Sequence, residues 1–378
     1  MKKNIYIMYA ISLLQGIIFY ASIAMTYRLS RGLSLFEFGV IEGIFMFMMA
    51  VLEVPWGYVC DRIGYKKTLI ICNFIYFISR IVFYKAYGFW MFFLERVLFA
   101  ISASGISGCD TGYLYEMCKG EESTKVFSYY SAAGTFGLLF ASFVFTFFIK
   151  GNIDLSGFLT IIPYGIAFVL TLFIDEIKRE SDEHISMFGF IKTFIKDKKL
   201  ILFLVVSVLL TESSHEINTF MSQLIYERAG ISIEWYGVLY AILNIVGLSS
   251  VFLGIISKKY SIHRILYVLM VIGIISMSSL LMNYGVVVSV LSILALEVVE
   301  VNYYPLMNTR LNETVSLEDR ASILSVYSLI MKMMSVVTNV LFGITSEISL
   351  NTVIMTCLVM MIMSLAGYIL SNSLKTRK

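Results

Sequence analysis

The stretch Gly57–Lys67, with the sequence GYVCDRIGYKK, separates two long apolar segments of the chain. It contains two glycines, one acidic residue and three basic residues: Gly57, Gly64, Asp61, Arg62, Lys66 and Lys67. Glycine permits tight backbone turns, and Lys and Arg collect on one side of a membrane. We therefore expect this stretch to be a short polar connection between two membrane-spanning helices.

The chain as a whole is strongly apolar. Of its 378 residues, 58% are hydrophobic and 15% are charged, and the mean hydropathy is +0.83. In a soluble domain the apolar fraction is smaller, and about a quarter of the residues are charged. The composition therefore indicates an integral membrane protein, and it leaves no room for a large soluble domain between the apolar segments.

Twelve apolar segments have about 20 residues each, which is enough to cross a hydrocarbon core of about 30 Å. We place them at residues 5–27, 36–57, 68–87, 88–112, 126–149, 157–175, 200–226, 234–257, 263–282, 285–308, 321–345 and 350–372. The first segment follows Lys2 and Lys3 and has no small-residue cleavage site, so we expect a retained span and not a signal peptide.

The basic residues are distributed unevenly between the two sides of these spans. Of the 29 Lys and Arg residues, 21 fall on the side of both termini and five on the other side, while Arg80, Arg96 and Lys332 fall inside spans. The five on the other side are Arg28, Arg31, Lys85, Lys150 and Arg228. Because Lys and Arg are held on the cytoplasmic side, we predict a protein of the plasma (inner) membrane with both termini in the cytoplasm.

The chain divides into two halves around its longest polar segment, which begins at Asp175 and ends at Lys199. We predict six-helix bundles at residues 1–176 and 200–378, joined by a cytoplasmic linker at 177–199. Residues 187–199 carry apolar and basic positions at helical spacing, so this part is expected to form an amphipathic helix along the inner membrane surface.

The two halves also match each other at one offset. A shift of 197 positions sets Gly57–Lys67 on Gly254–Arg264 and Phe127–Ser131 on Leu324–Ser328, and it sets Glu116 on Glu313. Because a single offset aligns three separate parts of the two halves, we infer that a six-span unit has been duplicated.

The sequence GYVCDRIGYKK resembles the G-x-x-x-D-R-x-G-[RK]-[RK] loop between the second and third spans of the major facilitator superfamily. Tyr65 is the departure, because the family usually has a basic residue there. The resemblance implies an all-α fold of twelve transmembrane helices in two pseudo-symmetric six-helix bundles. In such transporters the substrate site lies near the membrane midplane between the halves.

The same resemblance implies a gate. In the family this loop locks the outward-facing state through contacts with the fourth and eleventh spans, so Asp110 is the expected partner of Arg62. Glu53 lies just before the loop and is expected to belong to the same gate.

The second half contains ionisable residues in the middle of its spans: Glu212, His215, Glu216, Glu297, Glu300 and Lys332. Such residues cost roughly 2.5–3.5 kcal/mol at the bilayer centre and usually face water or a partner. Residues three or four apart share one helical face, which pairs Glu212 with Glu216 and Glu297 with Glu300. In the family fold, both pairs would face the central cavity.

If all four glutamates were ionised, the charge of Lys332 alone would oppose them. Protons, a cation or a cationic substrate would then neutralise the excess, which is the basis for predicting proton coupling. The alternative is a structural pair between Lys332 and one glutamate, with the other carboxylates closer to water.

In the first half, the outer parts of the second, third and fourth spans carry Glu42, Arg80, Glu95 and Arg96. Their signs balance. Arg96 resembles the buried arginine that the family has in its fourth span and links to proton movement. Arg80 lies on a span that is peripheral in the family, so we expect a structural ion pair with Glu42 or Glu95. Four tyrosines are candidates for substrate contact: Tyr20, Tyr27, Tyr303 and Tyr304.

Other chemistry is excluded by what the sequence lacks. It has no metal-ligand spacing, no nucleotide-binding loop and no nucleophile-base signature, so we expect neither an enzyme nor a cofactor or metal site. The five cysteines are expected to be reduced packing residues. The net charge of +3 follows from the loop bias and does not indicate nucleic-acid binding.

These observations predict a monomeric secondary active transporter that works by alternating access. The sequence Glu53-Val-Pro-x-Gly57 resembles bacterial drug:proton antiporters, so we expect proton-coupled efflux of a small amphipathic or cationic compound. Those antiporters have a G-x-x-x-G-P-x-x-G-G pattern in the fifth span, whereas this chain has only Gly134-Thr-Phe-Gly137. Proton-coupled uptake of a nutrient is the alternative, and a non-transporting receptor or scaffold is a more remote one.

Overall fold

The computed structural model describes residues 2–118, 123–177, 198–314 and 320–373. Among these residues the regular secondary structure is helical, and no strand occurs. Twelve helical stretches, α1 to α12, follow one another along the described chain: Lys3–Ser30, Leu35–Ile63, Tyr65–Lys85, Gly88–Cys118, Ser123–Ile149, Ile153–Thr171, 198–228, Ile233–Lys259, Ile262–Met282, Val286–Thr314, Arg320–Ile348 and Leu350–Ser373.

Each of the twelve stretches overlaps one of the twelve predicted segments, with ends that differ by up to six residues, and the prediction of an all-α membrane protein is confirmed. Eleven of them are long and apolar enough to cross a membrane by length and composition. The one outside that group is α7, whose middle carries Glu212, His215 and Glu216.

Contacts within the chain divide it into two compact units. The first unit comprises Met1–Glu183 and Ile233–Ala241, and the second comprises His184–Ser232 and Ile242–Lys378. The predicted amphipathic helix falls at 187–199, of which 187–197 lie outside the described residues. The predicted linker boundaries therefore stay predictions.

The first span is not one continuous helix. The α-helix Lys2–Gly16 ends in an irregular stretch at residues 17–20, and helical structure returns at Ala21. Two contacts with α6 satisfy backbone groups at this break: the Phe19 nitrogen donates to Thr160 Oγ1 at 3.1 Å, and the Tyr164 hydroxyl donates to the Gln15 carbonyl at 2.7 Å. Such breaks persist in membrane proteins only where protein or a cavity shields the backbone.

The seventh span departs from regular α-helix at the equivalent place. Glu216–Met221 forms a π-helical turn inside α7. The 197-residue offset sets the break at 17–20 on residues 214–217, which overlap this turn. π-helical turns frequently mark functional sites, and in transporters interrupted helices at corresponding positions of the two halves point to the binding region.

In the first unit, α1 and α5 approach each other closely through glycines. A Cβ atom on Gly16 would overlap the Gly134 carbonyl, and one on Gly137 would overlap the Leu13 carbonyl. Small residues commonly allow such close helix contact in membranes. The short Gly134-Thr-Phe-Gly137 pattern therefore has a packing role beside α1.

Candidate functional site

The stretch Gly57–Lys67 is almost entirely helical, so the expectation of a polar loop was wrong. Helix α2 continues to Ile63 and α3 begins at Tyr65, which leaves only Gly64 between the two helices. Gly64 has φ +90°, a conformation that residues with a Cβ atom rarely adopt. One glycine is therefore sufficient to reverse the chain.

Two acidic residues beyond α6 contact the start of α3 and its neighbours. Glu176 Oε1 accepts a hydrogen bond from the Lys66 backbone nitrogen at 3.3 Å. Asp175 Oδ2 accepts from Asn4 Nδ2 at 3.2 Å, and the Asp175 carbonyl accepts from the Tyr113 hydroxyl at 2.9 Å. The segment after α6 thus connects α1, α3 and α4. Sequence reasoning had placed both acids at the linker boundary and missed these contacts.

Asp110 does not pair with Arg62 in this structure, contrary to the expected contact. Its Oδ2 atom accepts a hydrogen bond from the Tyr130 hydroxyl at 2.9 Å, and its Oδ1 atom accepts from the Thr111 nitrogen at 2.6 Å. Arg62 is exposed, so its guanidinium remains accessible to water. The carboxylate of Asp110 is instead satisfied by Tyr130 on α5 and by the Thr111 backbone on α4.

The other residues of the predicted gate lie at the surface of the first unit. Glu53, Gly57, Asp61 and Lys67 are exposed and Lys66 is half-buried. Their gating role is therefore a proposal that depends on a conformational change.

Tyr65, the departure from the family pattern, is buried. Its ring packs edge-on against Tyr113, with 6.2 Å between the ring centroids. A Cβ atom on Gly112 would lie within 3 Å of the Tyr65 ring, so this glycine leaves room for the tyrosine. An aromatic side chain that packs against α4 has replaced a basic residue of the usual pattern.

A cluster of ion pairs occupies the interior of the first unit. The Glu95 side chain is fully buried and has a guanidinium nitrogen of Arg28, Arg80 and Arg96 at 3.9, 3.8 and 3.9 Å, respectively. Arg96 also donates a hydrogen bond to Glu42. Arg80 thus lies beside Glu95, one of the two partners expected for it, and Arg96 is engaged by two carboxylates.

The expectation that the charges of this region balance was wrong. Arg28 had been assigned to an outer loop, but its side chain is only 2% exposed and belongs to the cluster. Three guanidinium groups therefore accompany two carboxylates. Each guanidinium also lies over an aromatic ring: Arg28 over Phe83 at 5.1 Å, Arg80 over Tyr76 at 4.8 Å and Arg96 over Phe99 at 5.4 Å. Cation–π attraction favours arginine at such desolvated positions.

In the second unit, α7 and α10 hold a cluster of hydrogen-bonded polar residues. His215 Nδ1 lies 2.9 Å from Glu300 Oε1. Asn218 Nδ2 donates to Glu297 Oε2 at 3.1 Å and to Glu300 Oε2 at 3.0 Å. The His215 and Glu300 side chains are 37% and 24% exposed. We call these four residues the α7–α10 cluster.

Asn218 was missed because the sequence search considered only ionisable side chains inside spans. Its position three residues after His215, which places the two side chains on one helical face, was the available signal. The amide of one asparagine bonds two carboxylates, which brings the glutamates of α10 to one point.

The remaining ionisable residues of the second unit have different surroundings. Glu212 accepts hydrogen bonds from Ser335 Oγ at 2.6 Å and Thr338 Oγ1 at 3.1 Å, both on α11. Glu216 is 4% exposed, whereas Lys332 is half-buried on α11. The structure thus links Glu212 to α11 and places His215 and Asn218 against α10.

Three of the four tyrosines expected to contact substrate are packed inside their units. Tyr27 and Tyr303 are fully buried, and Tyr20 is 4% exposed. The Tyr20 hydroxyl accepts from Arg80, and its ring stacks on Phe83. Burial thus contradicts substrate contact by these three in this structure, because their surface is already taken up by packing. Tyr304 is 52% exposed.

No group of three or more His, Cys, Asp or Glu residues with the arrangement of a metal site occurs within the described ranges. The α7–α10 cluster contains two carboxylates, an imidazole and an amide that contact one another. It can bind and release protons, and its carboxylates can attract a positively charged group.

Comparison with known families identifies the fold. The family model described as Major Facilitator Superfamily matches residues 5–339. A comparison with curated proteins found no match.

Several solved structures share the fold at low identity. The nucleoside transporter NupG has a TM-score of 0.84 at 14% identity, with 98% of each chain covered. A bacterial homologue of the human lysosomal transporter Spinster has a TM-score of 0.75 at 15% identity, covering 98% of this chain and 96% of that one. A D-xylose-proton symporter has a TM-score of 0.70 at 17% identity, with coverage of 97% and 96%. These similarities do not single out drug:proton antiporters.

Proposed function

The chain belongs to the major facilitator superfamily, and from this premise we propose that it is a secondary active transporter that couples the movement of a small molecule to protons. The site of coupling is the α7–α10 cluster. Arg96 and the α1–α4 ion pairs stabilise the first unit, and Asp61, Arg62 and Asp110 act in gating when the protein changes conformation.

One observation carries this proposal: Asn218 donates to both Glu297 and Glu300, while His215 contacts Glu300. Two carboxylates held close together repel each other when both are ionised. A proton or a positively charged substrate removes that repulsion, so occupancy by one competes with occupancy by the other. Such competition at one site is what proton-coupled exchange requires.

Export of a small amphipathic or cationic compound is the specific function that we propose. It is supported by the excess of carboxylates in the second unit, where Glu212, Glu216, Glu297 and Glu300 accompany Lys332. We place the protein in the plasma membrane with both termini in the cytoplasm, because the basic residues are concentrated on that side. We also propose that it acts as a monomer.

Proton-coupled uptake of a nutrient is a second candidate. The similarity of the fold to a D-xylose-proton symporter favours it. In that case the glutamates would bind protons that enter together with a neutral substrate, and no positive charge on the substrate would be needed.

Transport by purified protein in proteoliposomes distinguishes the two functions. A pH gradient is imposed, and cationic dyes, antibiotics, sugars and amino acids are offered one at a time. Exchange predicts that the substrate moves against the direction of the protons, and uptake predicts that both move together. If no substrate responds to the pH gradient, proton coupling is wrong.

Matched variants connect the result to the site. Glu297→Gln and Glu300→Gln each remove one carboxylate of the cluster, whereas Glu227→Gln removes an exposed carboxylate from the end of α7. The first two are expected to lower pH-driven transport at least tenfold, and the third is expected to leave it unchanged.

A further inference from the structure

The second copy of the Gly57–Lys67 stretch has a different charge pattern from the first. Under the 197-residue offset, Lys258 takes the position of Asp61, while Gly254 and Arg264 match Gly57 and Lys67. An acidic residue has therefore been replaced by a basic one, so the second copy cannot offer the carboxylate of the first.

The region around this copy contains basic residues but no acidic residues that could balance their charge. Residues 235–296 contain no Asp or Glu, and their charged residues are Lys258, Lys259 and Arg264, with His263 beside them. In the first copy, by contrast, Asp61 lies within the stretch and Glu176 contacts the Lys66 backbone. A stretch of 62 residues thus has all its charge at one junction between two helices.

The structure places this charge at the end of α8 and the beginning of α9. The helical turn Leu253–Lys259 ends α8, and α9 begins at Ile262. Lys258, Lys259 and Arg264 are all exposed. None of the three forms an ion pair with another residue of the described ranges, and the Lys259 ammonium lies 5.6 Å from the centroid of the Tyr260 ring.

An apolar groove of about 700 Å³ adjoins the basic residues, between α8, α9 and α12 of the second unit. Its walls include Ile256, Val268 and Ile369, which are 41%, 53% and 52% exposed. Arg264 is one of the residues that line the groove, and the neighbouring His263 Nδ1 atom lies 2.9 Å from the Tyr368 hydroxyl, which connects α9 to α12. The groove thus combines exposed apolar side chains with the cationic side chain of Arg264.

We propose that this groove binds an anionic phospholipid of the inner leaflet. The phosphate would lie between Lys258, Lys259 and Arg264, and an acyl chain would lie along the walls formed by α8, α9 and α12. Basic clusters next to transmembrane helices attract anionic lipid headgroups. A free phosphate would use the charges but leave the apolar walls uncovered, so the combination of the two features favours a lipid.

Native mass spectrometry of the purified full chain in detergent tests the proposal, with phosphatidylglycerol and phosphatidylcholine as the probes. The protein is expected to bind phosphatidylglycerol more tightly than phosphatidylcholine. The triple variant Lys258→Gln, Lys259→Gln, Arg264→Gln is expected to lose about fivefold in affinity for each charge removed. Lys85→Gln removes an exposed lysine at the end of α3 and is the matched control, with no change expected.

A second variant addresses the apolar part of the site. Val268→Asp places a carboxylate in the groove and is expected to weaken phosphatidylglycerol binding while the basic residues remain. Phosphatidylglycerol should also raise the melting temperature of the unaltered protein more than phosphatidylcholine does, and this comparison needs no variant.

Three results would overturn the proposal. Equal binding of both lipids by the unaltered protein would remove the role of charge. Unchanged phosphatidylglycerol binding by a folded triple variant would show that the lipid binds elsewhere. Displacement of phosphatidylglycerol by millimolar inorganic phosphate would identify a site for soluble phosphate and not for a lipid.

Discussion

His215 Nδ1 lies 2.9 Å from Glu300 Oε1, which joins α7 to α10 at the π-helical turn of α7. The same glutamate accepts a hydrogen bond from Asn218, three residues further along α7. The contact between the two helices thus depends on groups whose charge changes when a proton binds. This relation is the structural basis for the proposed coupling.

Asn218 holds the two carboxylates of α10 together, so its replacement should change coupling without removing any charge. Asn218→Ala is expected to lower pH-driven transport at least tenfold, because Glu297 and Glu300 lose their shared donor. The measurement is transport in proteoliposomes over a range of pH. Asn351→Ala, on α12, is the control, because that residue bonds Arg228 and not the cluster. Equal losses in both variants would contradict a specific role for Asn218.

The arginine-rich cluster predicts a large effect on stability from one buried carboxylate. Glu95→Gln leaves three buried guanidinium groups with one carboxylate, and breaking a buried pair costs about 3–5 kcal/mol. Asp154→Asn removes the acid that pairs with Arg31. The Arg31 side chain is only 7% exposed, but it keeps its hydrogen bond to the Tyr84 carbonyl, and the Asp154 side chain is 73% exposed, so we expect a loss of about 1 kcal/mol. Thermal unfolding in detergent should show a clearly larger loss for Glu95→Gln. A loss no greater than that of Asp154→Asn would show that Glu95 does not hold the cluster together.

The two glycines of the Gly57–Lys67 stretch should respond in opposite ways to alanine. Gly64→Ala forces a Cβ atom onto a residue with φ +90° and ψ 163°, a conformation almost confined to glycine, and into the Glu176 carboxylate, so we expect a loss of about 1–3 kcal/mol. Gly57 lies inside α2 with no described atom within 4 Å of an added Cβ, so alanine should stabilise the helix by up to about 1 kcal/mol. Thermal unfolding of the two variants checks both signs. A stabilising Gly64→Ala would contradict the assigned turn.

The close approach of α1 and α5 gives a further prediction. Gly16→Ala places a Cβ atom against the Gly134 carbonyl, so the two helices must separate and stability should fall by more than 1 kcal/mol. Gly108→Ala on α4 is the control, because no described atom lies within 4 Å of its added Cβ. Thermal unfolding compares the two. Equal stability of both variants would show that a Cβ atom fits between α1 and α5 and would contradict their close contact.

The sequence was sufficient to place the helices, because a membrane span needs an apolar segment of fixed length and the polar connections between spans are short. Arg28 shows where such reasoning fails. The first span was predicted to end at residue 27, and this difference of one residue moved a buried guanidinium into a loop. Inside a span its charge would have demanded a partner, and the imbalance with Glu42 and Glu95 would have been visible.

Contacts that depend on tertiary structure could not be predicted from the pattern. Glu176 lies 110 positions from Lys66, and Asp110 bonds a tyrosine on the next helix and not the arginine that the family suggests. Nothing in the spacing of a single sequence reports such pairs. The π-helical turn at Glu216–Met221 is similar in this respect, because regular 3.6-residue periodicity was assumed when the faces of α7 were assigned.

The most direct test of proton coupling at the α7–α10 cluster is the proton movement caused by substrate. A pH-sensitive dye inside proteoliposomes records the internal pH when a transported substrate is added, first with the unaltered protein and then with the Glu297→Gln, Glu300→Gln double variant. We predict a substrate-dependent pH change with the unaltered protein, and none with the double variant although the variant is folded. The same pH change in both would show that protons move by another route and would contradict the account.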